Sequence, residues 1–199
     1  MANPEWACGV PPNISVVGDG FCVPYPVELI VKKRRILENT HFDVFDVNGN
    51  LFLRVNGSVL TFSKKRVMRG TCGYTYYHHA PKLNTSKFRW MVHRGESSEQ
   101  NSLLFSVVRP FPFQMRKQLD VFLASNPNER TWDFRVIGCN FSQSFKVFRG
   151  NSVIAEINHD FTWGRFLKGK SSFRVSINPS VDYAFIVTLL VILNEDYLV

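Results

Sequence analysis

Gly164-Arg-Phe-Leu-Lys-Gly-Lys-Ser171 has the spacing G-x-x-x-x-G-K-[ST], the pattern of a phosphate-cradling loop. That chemistry needs a helix directly after the Lys-Ser pair, because the free amides and dipole of its first turn hold the anion. Here Ser172–Ile177 alternates in polarity like a strand, Pro179 follows soon after, and Arg165, Phe166 and Leu167 fill the loop. The stretch therefore reads as a basic turn, and no cofactor is assigned. His78-His79 suggests a metal, yet adjacent residues of a strand point to opposite faces, and no metal ligand is assigned. Cys8, Cys22, Cys72 and Cys139 are scattered, without the spacing of a zinc site. Neither G-x-S-x-G nor H-E-x-x-H occurs, so no catalytic residue is named. A site assembled from distant residues stays open as an alternative.

The remaining chemistry is positive charge. The chain has 24 Lys and Arg against 16 Asp and Glu, a net charge of +8, which favours anionic partners. Two runs concentrate it: Lys32, Lys33, Arg34 and Arg35, then Lys64, Lys65 and Arg66. These seven are the candidate anion-binding residues. Arg165, Lys168 and Lys170 form a third, looser group. The candidate partners are an acidic phospholipid or phosphoinositide, a protein, or nucleic acid. Nucleic acid ranks below lipid, because no glycine-aromatic motif of an RNA-binding kind flanks the clusters. The plainer reading of each run is a strand whose basic end is solvated.

The elements that must position these residues are mostly strands. Residues 1–20 are rich in Pro and Gly and read as a flexible tail, and residues 21–199 read as one domain. From Val27 onwards short apolar runs alternate with turn signals. Asn48-Gly49 marks a hairpin and Asn56-Gly57 a second turn, and Arg149-Gly-Asn-Ser152 marks another hairpin. Eighteen Phe in 199 residues suit half-buried pleated surfaces. About twelve short strands are expected, in a sandwich or barrel. Near the C-terminus Tyr183–Leu193 is apolar on every side, so a helix there must be enclosed. Its eleven residues rise about 16 Å, against the roughly 30 Å of a bilayer core, which favours a core helix over a membrane span. A helix over about 179–194 is predicted, with Asn178 as N-cap and Pro179 at its first position. A closed barrel of about twelve strands around this helix leaves neither a sheet edge nor an apolar face exposed.

Several segments together resemble a known family. They are Phe21-Cys-Val-Pro-Tyr-Pro-Val27, Asp46-Val-Asn-Gly-Asn-Leu-Phe52, Leu119-Asp-Val-Phe-Leu-Ala124, Asp133-Phe-Arg-Val136, Val147-Phe-Arg-Gly150 and Asn178-Pro-Ser-Val-Asp-Tyr-Ala-Phe-Ile186. The chain resembles the plant LURP-one-related proteins, a branch of the tubby C-terminal-like superfamily that includes phospholipid scramblases. The resemblance implies a barrel around a central hydrophobic helix, a link to plant defence, and no enzymatic activity. Lipid binding follows from it only by analogy of fold. Tyr74–Lys82 departs from the family's usual strand and loop. No basic region followed by an apolar run opens the chain, so an intracellular monomer is expected, cytoplasmic, membrane-associated or nuclear.

Overall fold

Alternation of buried and exposed residues builds this molecule. The structure is a computed structural model that describes residues 13–36, 39–57, 66–70, 75–79, 89–95, 100–110, 117–139, 144–160 and 171–197. Twelve strands run β1 (Val27–Ile36), β2 (Asn39–Asp46), β3 (Leu51–Gly57), β4 (Arg66–Gly70), β5 (Thr75–His79) and β6 (Arg89–Arg94), then β7 (Leu103–Val108), β8 (Gln118–Leu123), β9 (Phe134–Cys139), β10 (Ser144–Arg149), β11 (Ser152–Asp160) and β12 (Ser171–Ile177). One helix, α1 (Tyr183–Tyr197), follows them. The fold is mostly β with a C-terminal helix, as the sequence pattern predicts.

Each strand pairs antiparallel with its neighbours in the chain, and β1 pairs with both β2 and β12. The order therefore runs round as a closed barrel. Leu29 and Val31, Phe42 and Val44, Leu53 and Val55, Phe145 and Val147, and Phe173, Val175 and Ile177 point inward and are buried. Residues two apart share a face, which is why each strand contributes every second side chain to the core. The core is completed by α1, whose residues from Ala184 to Asn194 are all buried. Phe185 meets Phe105 edge-on at 5.1 Å between ring centroids and Phe134 at 4.9 Å. Ile186, Leu189, Leu190 and Leu193 have no exposed surface. Fully burying each contributes roughly 1.5–3 kcal/mol before entropy is subtracted.

Three expectations are corrected by this arrangement. The helix begins at Tyr183 rather than near 179, and Asp182, not Asn178, is its cap. Asp182 Oδ1 accepts the Phe185 N–H at 2.9 Å, whereas the Asn178 amide donates to the Val153 carbonyl. Ser180, at φ 63°, reverses the chain between Pro179 and the helix. Asn56 and Gly57 continue β3 instead of turning, with Asn56 paired to His41 and Val67. The last part of the expected tail, from residue 13 onward, is held against the barrel end, and Val17 is buried. Residues 1–12 lie outside the described residues. The Asn48-Gly49 turn is present: Gly49 takes φ 87°, and Asp46 accepts the Asn48 and Asn50 N–H groups.

Candidate functional site

The outer wall formed by β12, β1, β2 and β3 carries Lys32, Arg34, Arg54 and Arg174. Strand alternation divides the first basic run. Lys32 and Arg34 point outward, while Lys33 continues the inward register of Leu29 and Val31, opposite Phe42. Arg35 is the register partner of Thr40. The four therefore do not form one face. In the second run, Lys64 and Lys65 lie outside the described residues, and Arg66 stands in β4 opposite Gly57 and His78.

Register assembles a different cluster. One rung across the wall reads Ser172, Lys32, Asp43 and Arg54, from β12 to β3, and continues to Arg69 in β4. Strands lie about 4.8 Å apart, so Lys32 and Arg69 stand on the order of 14 Å from each other along the rung. Arg34 lies one outward position from Lys32 on β1, and Arg174 is opposite Ile30, on the other side of the rung. Asp43 anchors the group. Its side chain is 2% exposed, while those of Arg34 and Arg54 are about half exposed, at 48% and 49%. Arg34 Nη2 pairs with Asp43 Oδ2, and Arg54 Nε donates to Asp43 Oδ1 at 2.8 Å. A carboxylate buried this far needs such partners, and here two cations supply them. Each guanidinium has five N–H donors in a fixed fork, so most of its donors are left for other partners. Lys32 Nζ sits 5.0 Å from the Phe45 ring centroid, which holds it beside the same cluster.

Elsewhere on the barrel, Arg89, Arg135 and Lys146 have acidic partners. Arg89 takes Glu129 in a bidentate pair at 2.5 and 2.6 Å, and the Glu129 carboxylate raises the Arg89 value further. Arg135 binds Asp120 through two donors, and its guanidinium stacks 4.5 Å from the Trp132 ring. Lys146 meets Glu156 at 2.8 Å. These pairs cancel charge locally, whereas the outer wall from β12 to β3 sets Lys32, Arg34, Arg54 and Arg174 around the buried Asp43, with Glu28 exposed on the same face of β1. Arg54 and Arg174 were missed in the sequence because neither belongs to a run. Combining strand alternation with the Asn48-Gly49 hairpin register is the signal that places Arg54 beside Asp43.

The phosphate-loop pattern ends in a strand: β12 starts at Ser171, so no helix N-terminus follows the Lys-Ser pair. Residues 161–170 lie outside the described residues. Among the described residues no group of three or more His, Cys, Asp and Glu is placed to hold a metal, and no helix is long and apolar enough to cross a membrane.

The LURP-one-related family model matches residues 27–194, from the first residue of β1 into the end of α1. The chain belongs to the LURP-one-related family. It is 43% identical over 196 residues to Protein LURP-one-related 14 of Arabidopsis thaliana, covering 96% of this chain and 95% of that one. Protein LURP1 of the same plant is 36% identical, with 90% and 88% covered. The fold is similar to a crystal structure of an Arabidopsis thaliana protein, with a TM-score of 0.67, 35% identity, and 91% and 97% of the two chains covered. The basic wall lies within the span that defines this LURP-one-related chain.

Proposed function

We propose that this protein is a non-enzymatic interaction domain whose β12–β3 wall docks onto an acidic phospholipid surface. The observation that carries this reading is the rung Lys32–Asp43–Arg54, flanked by Arg34 and Arg174, where two half-exposed guanidinium groups share one buried carboxylate. Asp43 fixes two guanidinium groups without neutralising the wall, so less side-chain entropy is lost when an anion arrives. Basic residues near an anionic membrane contribute about 1 kcal/mol each. A tubby-like barrel and a place in plant defence signalling, at an intracellular membrane, belong to the same reading and rest on the family resemblance.

The test is co-sedimentation with phosphatidylserine-containing vesicles, beside neutral phosphatidylcholine vesicles and duplex DNA, across salt. Binding to acidic vesicles only is expected, weakening as the Debye length shrinks below about 8 Å. Lys32→Glu with Arg174→Glu abolishes it while leaving the Asp43 pairs in place. No binding to acidic vesicles at low salt would refute the reading, and DNA binding by the same wall would turn it toward nucleic acid.

A further inference from the structure

Residues 13–23 lie across the barrel end from which α1 departs, and nearly all that holds them comes from far along the chain. The Ile14 N–H donates to the Ser180 carbonyl at 2.8 Å, the Asp182 N–H to Ile14 at 3.0 Å, and the Ser180 N–H to Val23 at 2.7 Å. Asp182 Oδ2 accepts three successive backbone N–H groups: Val16 at 3.1 Å, Val17 at 2.7 Å and Gly18 at 3.1 Å. Arg94 Nη2 donates to the Val17 carbonyl at 3.3 Å. Val17 is 2% exposed and packs into the core, and Phe21 meets Tyr183 edge-on at 5.4 Å.

Two features separate this segment from the barrel it covers. Its β contacts are isolated bridges, Ile14 to Val181 and Cys22 to Asp182, and it adds no rung to the twelve-strand ladder. Pro24, Tyr25 and Pro26 join it to β1 and are all exposed. Proline has no N–H, so this joint is poor in ladder bonds. Three of the segment's donors depend on one side chain, which concentrates its attachment at a single point.

We propose that residues 13–23 are a strap that opens as a unit about Pro24–Pro26, latched by Asp182, while the barrel stays closed. Opening uncovers the seat of Val17, the Tyr183 ring and the first turn of α1. The Asp182–Phe185 cap is local to the helix and survives. Segments outside the cooperative ladder of a sheet open below the free energy of global unfolding, and this strap meets the rest of the chain through isolated bridges and one carboxylate.

Native-state hydrogen exchange on the full chain tests it. The amides of Val16, Val17 and Gly18 should exchange together, faster than the core amides of β2 and β10. Asp182→Asn puts an NH2 group in place of one acceptor and should speed the three amides on the order of tenfold or more, with β2 and β10 still the slower set. Val17→Ala should act in the same direction by trimming the plug instead of the latch. Exchange of the three amides at the β2 and β10 rate in the wild-type chain would overturn the proposal, whatever the variants do. Unchanged exchange of the three amides in Asp182→Asn would overturn it as well.

Discussion

Asp182 does two things with one carboxylate: Oδ1 caps α1, and Oδ2 gathers the amides of Val16–Gly18. Burial pushes its carboxyl above the usual carboxylate range, against the pull of the Phe185, Val17, Gly18 and Val16 N–H groups. The folded state then keeps a proton that the unfolded state has released. That contribution to stability is complete below the unfolded value and is lost as pH rises through the raised folded value. Asp46 has the opposite sign: bonds from Asn50 hold it below its ordinary value, so its contribution is lost as pH falls through that lowered value. Asp182→Asn does not titrate at this position. Urea unfolding from acid to neutral pH should show the decline attributed to Asp182 in the wild-type chain and not in the variant; parallel curves would contradict this. Gly138 offers a steric test. A Cβ there would lie 2.6 and 2.8 Å from Phe145 ring carbons and 2.9 Å from Lys117 Cβ. Gly138→Ala should cost about 1–3 kcal/mol in denaturant unfolding. Neither position was legible in the sequence. Asp182 reads as an ordinary first-turn acid when its partners are over 160 residues away, and Gly138 needs a cross-strand neighbour to explain it.

Strands were legible as elements because their alternation is local. Ser171–Ile177 shows it plainly, with Phe173, Val175 and Ile177 all buried. The helix was legible from its all-round apolar run, and its boundary was not. Asn178-Pro179 has a better local cap signature than Asp182, and the turn at Ser180 gives no distinct signal. Asn56-Gly57 likewise reads as a turn, but its pairing to β2 and β4 keeps it in β3. These are cases where tertiary hydrogen bonds decide between local options. The element-scale prediction is Leu190→Asp. Leu190 is enclosed by the barrel, and an unpaired carboxylate there should offset much of a net stability of about 5–15 kcal/mol. Circular dichroism should show an unfolded or insoluble product. Leu190→Ala should lower stability by about 2–5 kcal/mol while keeping the fold. A soluble Leu190→Asp chain with an unchanged melt would contradict the enclosure of α1.

At the scale of the molecule, the first strand β1 pairs with the last, β12, and this seam brings Arg174 beside the cations of β1. Arg174 comes from β12 and Arg54 from β3, so the wall exists only where chain ends meet. Runs of adjacent cations point toward this region in the sequence but misplace Lys33, which alternation sends inward. The wall also offers a test in which binding should rise. Asp43 is the one carboxylate of the rung, and Asp43→Asn raises the wall's charge by one. Arg34 and Arg54 are each about half exposed, so both can turn to water when their partner is neutralised. Some loss of stability is expected, because both pairs to the buried carboxylate are broken. Affinity for phosphatidylserine vesicles should nevertheless increase by about 1 kcal/mol, roughly fivefold, and the gain should shrink as salt rises. A loss of binding in Lys32→Glu could be blamed on a damaged fold, but a gain in a less stable variant cannot. If Asp43→Asn leaves vesicle affinity unchanged at low salt while its melt shows a folded protein, the wall is not the docking face.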